Sequence, residues 1–479
     1  MKKAIALLLA GAMALSLAAC GSSESSVSST SNTKTSANTN TETSDEVTNL
    51  VLWTWNDDAL KFAEWFNETH TDIQVEAINV ASSGEYETKV QAALQAGETE
   101  PDIIGCEMGW FDLFNDAGYF ADLNELGAQD YAGLQFDYVW ELGQDDDGIQ
   151  RCISYQVTPA GFYYRNDVAE AIFGYSDPES VAKLFESYES IMEAAKVAKS
   201  KGYRLFASDS ELGYCQYNEP WVVDGVVNLN EERIQKMEMT AAFYQEGLTA
   251  YAAQWTTAWY QSMSGSIPVL EESVMWGTDD LSVWGGDSEE GWETFEQQAE
   301  ALGYTDTTEV MAFGLPTWGN LILSSHAGDT YGNWGFVPGP TAAYGGGSWM
   351  GISALSEKKE AAWEFLKWMT LNEDTLEKWY QEGGDQGDGG DAVSLISLYE
   401  KHMDDENPSY NNQKLYAVWM EIADDIDFSI QTKYDSTLND LWATAISNYK
   451  TGEMTEEEAI NEFYDQVEAT YAGEITVNR

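Results

Sequence analysis

Only three histidines occur in the 479 residues, His70, His326 and His402, and they are scattered. An imidazole-based zinc site or a Ser-His-Asp triad therefore has almost no material to draw on. No phosphate-cradling P-loop and no dinucleotide glycine fingerprint appears. Two acidic runs, Asp145-Asp146-Asp147-Gly148 and Asp385–Asp391 (DQGDGGD), invite a calcium reading. Neither has EF-hand spacing, and acidic, glycine-rich loops also serve as plain solvated turns. No metal and no cofactor is expected. What the chain does hold is rings and carboxylates: 19 Trp, 26 Tyr and 82 Asp plus Glu. Most rings must be core, but so many leave a surplus for a ligand cleft. A ring packs on the C–H face of a sugar, and a carboxylate accepts from two hydroxyls at once. That chemistry holds a polyol without a covalent step. The same carboxylates could instead supply the acid–base pair of a glycosidase.

The elements that would position such groups come in βαβαβα order. Leu50–Thr54 reads as a strand, Leu60–Phe66 as a helical face, and Ile73–Val80 as an alternating strand. A helix opens at Ser82-Ser83-Gly84 and ends at Gly97; Pro101–Gly105 is a short apolar strand, with a helix from about Trp110 to Gly118. This order implies a parallel sheet with right-handed crossovers, and ligands of such sheets bind beyond the carboxyl ends of the strands. The rule nominates Trp55, Asn56, Glu107 and Trp110. Two further β runs, Ile153–Val157 and Gly161–Tyr164, are broken at Thr158-Pro159-Ala160, because proline lacks a donor and restricts its predecessor. The break reads as a hinge between two lobes, with Gln156 and Thr158 on the floor of a cleft.

Beyond the hinge, Pro178–Lys201 is an amphipathic helix whose acidic residues form a solvated face, and Glu231–Glu246 is another helix. In Tyr251–Met263 the spacing of Trp255, Trp259 and Met263 at i, i+4, i+8 favours core packing. Gly265–Gly303, acidic and rich in Trp and Gly, is either an insertion at the cleft edge or a surface excursion. Val310–Leu315 is strand-like. Gly345-Gly346-Gly347 permits close backbone approach near the hinge, where Trp349 is either a sugar platform or a hinge-packing residue.

A formal net charge of −59 argues against nucleic-acid partners, since phosphate backbones attract basic faces, and it keeps an exported protein soluble. Lys2 and Lys3 precede an apolar run, Ala4–Leu17, too short for a good bilayer span. Leu17-Ala18-Ala19-Cys20-Gly21 resembles the lipobox of bacterial lipoproteins, in which the cysteine is lipidated after cleavage; a plain signal peptide with an incidental cysteine is the alternative. Acyl chains on Cys20 would hold the protein at the extracellular face of the cell membrane without a spanning helix. Residues 21–46, nearly all Ser, Thr, Asn and acidic, read as a flexible tether with a reach of about 25–30 Å. The remaining cysteines, Cys106, Cys152 and Cys215, cannot all pair and include no CxxC, so no disulfide framework is expected, although one bridge is possible.

The strand–helix pattern, the PDII strand and the DLFNDAGYFADLNEL run closely resemble extracellular solute-binding proteins of carbohydrate ABC importers. The likeness continues in GFYYRND (161–167), NWGFVPGP (333–340), Gly345–Ser353, EAAWEFLK (360–367) and KTGEMTEEEA (450–459). Each motif alone is weak; their order over nearly the whole mature chain is specific. Glu219-Pro220-Trp221 resembles the Glu-Pro-aromatic element of maltodextrin-binding proteins, which implies that Glu219 and Trp221 contact sugar, and family position implies the same for Trp318. The fold implied is α/β, two-lobed and periplasmic-binding-protein-like (type II), each lobe a mainly parallel sheet flanked by helices. The implied divisions are a signal peptide at 1–19, lipidated cysteine and linker at 20–46, an N-terminal lobe at 47–157 plus 336–372, and a C-terminal lobe at 158–335 plus 373–479. The second crossover is placed near Trp334–Pro340 and the third near Met369–Trp379. The implied function is a monomeric, membrane-anchored receptor that delivers a carbohydrate, an oligosaccharide in particular, to the permease subunits of an ABC transporter. The same fold with peptide or polyamine cargo, or a surface glycosidase, are the competing readings.

Overall fold

Alternation builds the first strand. In β1 (Thr48–Thr54) Leu50, Leu52 and Thr54 are buried while Asn49 is exposed, the two faces of a pleat. The computed structural model describes residues 47–80, 83–270, 289–382 and 392–479. The signal segment, Cys20, the tether, much of Gly265–Gly303 and the run Asp385–Asp391 lie outside the described residues. The other strands that matter for the site are β2 (Ile73–Asn79), β3 (Ile103–Glu107), β4 (Cys152–Ser154), β5 (Pro159–Arg165), β6 (Arg204–Phe206), β7 (Val310–Pro316), β8 (Trp334–Tyr344) and β9 (Ser348–Ile352).

They form two sheets. One has the order β2-β1-β3-β9-β4, with β1 parallel to β2 and β3 and with β9 antiparallel to its neighbours. The other has the order β8-β5-β7-β6, in which β5 runs against β7 and β8 while β6 is parallel to β7. Helices flank both, and the architecture is two-lobed and α/β. Residues 46–479 nevertheless form one compact unit. A continuous apolar cluster runs from Leu50 and Phe62 under the first sheet to Phe313, Trp334 and Trp419 under the second. Separate clusters lie around Phe162 and Phe243 and around Trp221 and Phe463.

Pro159 opens β5 as its first residue, a place where a missing donor is tolerated. The chain thus passes from the first sheet to the second between Ser154 and Pro159. The next two crossings fall later than the motifs implied. β8 stays in the second sheet to its end, pairing Trp334 with Arg165 and Tyr344 with Pro159 across a bulge between Pro338 and Ala343. The return therefore occurs at Gly345–Gly347, which corrects the boundary at 336. Likewise Glu373–Glu382 remains with the first lobe. Trp379, 1% exposed, stacks on Phe62 at 4.5 Å and meets Tyr155 edge-on. Tyr399 packs edge-on against Phe136, whereas Leu415–Asp424 sits on β8 and β5. The third crossing thus lies between His402 and Leu415, not at 373. Helix 178–201 is also two helices, Pro178–Ala182 and Tyr188–Ser200, because Ser187 closes a capping box that starts the second afresh.

Candidate functional site: a ring-lined gap at the glycine crossing

β3 ends at Glu107, which pairs with Ser348 at the start of β9. The Glu107 Oε2 atom accepts from the Gly109 amide at 2.7 Å. Burial pushes this carboxyl above its ordinary range, while the Gly109 and Met108 amides pull it back. Its Oε1 faces the crossing: a Cβ placed on Gly346 would stand 3.5 Å from it and 3.4 Å from the Trp318 Nε1 atom. A first-sheet carboxylate and a second-sheet indole thus meet over one glycine.

Each wall carries rings. On the first, Trp55 and Trp110 meet edge-on at 4.9 Å, and Tyr86 stacks under Trp110 at 5.4 Å. The Tyr86 hydroxyl donates to the Trp53 and Gly105 carbonyls, so it ties β1 to β3 beneath the indoles. Asn56 donates through Nδ2 to the Ser348 hydroxyl at 3.0 Å. All four residues nominated from the strand ends are half-buried at those ends. On the second wall, Trp318 donates to the Gly345 carbonyl at 3.0 Å and stacks on Trp255 at 5.8 Å with 26° between planes.

Trp255 is a residue that periodicity misassigned. Its i, i+4, i+8 spacing pointed to the core, and Trp259 and Met263 are indeed buried. The helix, however, begins only at Thr257, with Thr256 as its cap. Trp255 therefore precedes it, 43% exposed, in a left-handed backbone at φ 70°. The i to i+4 rule fails once a cap intervenes. Tyr214 was also missed: its ring would lie 2.8 Å from a Cβ on Gly345 and also 2.8 Å from one on Gly314, so both positions admit glycine only.

Five expected site residues are placed elsewhere by packing. Trp221 is 1% exposed; it donates to Asn439 Oδ1 at 2.8 Å, lies among Tyr217, Trp442 and Phe463, and has the Arg233 guanidinium 4.0 Å from its ring. It is a core residue, because the two C-terminal helices, Asp435–Lys450 and Glu456–Tyr471, close over it. Glu219 is exposed beside the hairpin that follows, and its carboxylate accepts from Asn228, whose hydrogen bond holds it below its usual range. Trp349, 2% exposed, donates to the Val139 carbonyl, which decides for hinge packing over a sugar platform. Gln156 and Thr158 are buried rather than cleft-floor groups. The Gln156 Oε1 atom accepts from the Ser348 amide at 2.9 Å, and the Thr158 hydroxyl donates to the Gly346 carbonyl at 3.3 Å.

Beside the glycine crossing opens a cavity of about 710 Å³, within the usual range of ligand pockets. Met108 and Phe111 line one side, Tyr344 the crossing, and Thr432, Asp435 and Asn439 the other. Burial raises Asp435, and it raises Asp112, which Asp116 and Asp146 raise further. A second cavity of about 660 Å³ lies between Tyr188–Ser200 and Glu231–Gln245, and neither cavity has Trp55, Asn56, Glu107, Trp110, Trp255 or Trp318 in its lining. Among the described residues no His, Cys, Asp and Glu grouping suits a metal ion, the three cysteines are free and buried, and no helix is long and apolar enough to cross a membrane.

A family model described as bacterial extracellular solute-binding protein matches residues 54–375. The chain belongs to that family. No curated protein matches it. Among solved structures, the solute-binding protein resembles an extracellular solute-binding protein of family 1, at 19% identity and TM-score 0.66 over 88% of this chain and 99% of the other. It also resembles the galacto-N-biose/lacto-N-biose I-binding protein of a Bifidobacterium longum ABC transporter, solved with lacto-N-biose (14%, TM-score 0.63, 90% and 99%). A maltose-bound MalE3 of T. maritima is similar at 16% identity and TM-score 0.61, over 88% and 100%.

Two outcomes follow for this binding protein. Trp221→Ala is expected to cost about 3–5 kcal/mol of stability in urea unfolding, the cost of an emptied core site, instead of a selective loss of ligand affinity. The second concerns Glu211, wholly buried behind Tyr214, whose carboxyl burial pushes up to about 8 against three hydrogen-bond donors. Because the folded group holds its proton to higher pH than a free glutamate, at about 4.3, its contribution to stability is complete below that value. It is lost as pH rises through about 8. Unfolding series from pH 5 to 9 should show this decline in the wild type and a flatter profile in Glu211→Gln.

Proposed function

We propose that the protein captures a carbohydrate, an oligosaccharide of at least two units, in the gap at the glycine crossing and delivers it to the membrane-spanning permease of an ABC transporter. The observation that carries this reading is the two indole pairs, Trp55–Trp110 and Trp255–Trp318, with Glu107 and Trp318 both reaching Gly346. Rings desolvate pyranose faces while Glu107 and Asn56 fix hydroxyls. The sugars bound by the similar solved proteins support the same class of cargo. Binding and release require no bond making, so the protein works as a receptor and not as a catalyst, and as a monomer. Closure of the lobes on the ligand presents a form that the permease distinguishes from the open one.

Maltotriose, β-1,6-galactobiose and lacto-N-biose, each added to the mature protein, test the cargo by thermal stabilisation and calorimetry. At least one should raise the melting temperature and be recovered uncleaved; ligand at about 100 times its Kd adds about 2.7 kcal/mol. Trp318→Ala and Glu107→Gln should each weaken that sugar about tenfold or more, the worth of a hydrogen bond to a charged group or of ring packing. Stabilisation by polyamines or peptides alone, or cleavage of the sugar, would overturn the reading.

We further propose that Cys20 carries the lipid anchor that holds the receptor on the extracellular face of the cell membrane, in keeping with the family's extracellular setting. Cys20→Ser should abolish palmitate labelling and move the protein from the membrane fraction to the medium; continued labelling would remove Cys20 from this role.

A further inference from the structure

The second wall contains an expense that the binding function alone does not explain. Between Leu248 and Thr257 two bulky residues, Tyr251 (φ 58°) and Trp255 (φ 70°), adopt the left-handed backbone that L side chains rarely take. Something must hold this turn open, since the following helix begins only after Trp255. Upstream, the Ala250 and Ala252 amides both donate to the Ala207 carbonyl, at 3.1 and 3.0 Å. Around Trp255 itself the tie is Glu211, 0% exposed. Its Oε1 accepts from the Trp259 indole at 2.8 Å. Its Oε2 accepts from the Gly314 amide of β7 at 2.6 Å and from the Gln254 side chain at 3.0 Å. Gln254 donates also to the Gly314 carbonyl at 3.0 Å. The residue before Trp255, the residue four after it and the neighbouring strand thus converge on one carboxyl.

We propose that Glu211 is a positioning residue of the ligand gap: by gathering Gln254, Trp259 and Gly314 it holds Trp255 in its half-exposed pose against Trp318, and thereby sets the affinity for whatever rests on that indole pair. The affinity clause rests on the carbohydrate reading above; the positioning clause does not. Gly314 fits the arrangement, because a Cβ there would stand 2.6 Å from the Glu211 carbonyl, so the turn carrying Glu211 packs directly on the strand backbone. Burial raises the Glu211 carboxyl most, Asp209 raises it further, and the three donors oppose both, as expected for a group kept dry by the wall it braces. Asp209 is itself held by Lys450, and Tyr214, raised by burial, feels both Glu211 and Glu107.

The test uses the full mature protein with Glu211→Ala, Glu211→Gln, Trp255→Ala and the Glu211→Ala/Trp255→Ala double variant. Near-ultraviolet circular dichroism reads the stacked indoles without any ligand. Calorimetry reads whichever of maltotriose, β-1,6-galactobiose and lacto-N-biose stabilises the wild type. Glu211→Ala should erase the same indole signal that Trp255→Ala erases. It should weaken the sugar about tenfold in the wild-type background but less than about twofold in the Trp255→Ala background. If Glu211→Ala does not fold, Glu211→Gln, which keeps one acceptor oxygen, is read in its place against Trp255→Ala. An indole signal that survives the loss of Glu211, or an equal affinity loss in both backgrounds, would overturn the proposal. Should none of the three sugars bind the wild type, the carbohydrate reading falls for that panel, and the indole signal still decides whether Glu211 positions Trp255.

Discussion

Where the chain passes from β8 to β9, the backbone at Gly347 leaves no room for a side chain. Gly346 and Gly347 have φ of 59° and 114°, and a Cβ on Gly347 would fall 2.6 Å from the Trp349 ring and 3.0 Å from the Thr158 methyl. Both the dihedral and the space therefore call for glycine. Because nothing projects from Gly346, the Glu107 carboxylate and the Trp318 indole can approach the same point from opposite sheets. The buried neighbours of the crossing, Gln156, Thr158 and Trp349, use their polar atoms to fix backbone amides and carbonyls around it. Their burial is what leaves the gap to other side chains.

The two walls reach similar chemistry by different means. Trp55 and Trp110 stand on strand ends that Tyr86 bolts together, so the sheet itself aims them. Trp318 opens the helix Gly319–His326 and is locked by its bond to Gly345. Trp255 belongs to neither a strand nor a helix, and it sits on a capped turn whose Gln254 and Trp259 both bond a buried carboxyl. A sugar needs apolar faces with acceptors at their edges, and this arrangement offers indoles on both sides with a carboxyl at their junction. The abundant acidity of the rest of the surface is a separate matter: most carboxylates are solvated, as the exposed, hydrogen-bonded Glu219 illustrates.

Local patterning sufficed for much of this. Alternation located β2, short apolar runs located β1 and β3, and the order of strands and helices required a parallel sheet whose carboxyl end holds Trp55, Asn56, Glu107 and Trp110. Proline marked the first crossing, and the glycine run was legible as a close approach near the hinge but not as the second crossing, since both residues restrict or free the backbone wherever they stand. Element boundaries were less legible. NWGFVPGP reads as a departure from the second lobe, yet from Trp334 it opens a strand whose partner, β5, lies far earlier in the chain; only the pairing of Trp334 with Arg165 reveals that.

The sequence by itself therefore determined the family, the α/β lobes and the place of Trp55, Asn56, Glu107 and Trp110 at the strand ends, because these follow from periodicity, chain order and motifs whose constraints are local. The tertiary structure alone decided which rings face the gap. Trp221 and Trp255 both stand just before a structured element. Two helices more than 200 residues downstream cover Trp221, while a cap at Thr256 and the distant Glu211 leave Trp255 uncovered. Exposure is a property of what packs on a side chain, and for these two indoles the partners come from remote parts of the chain.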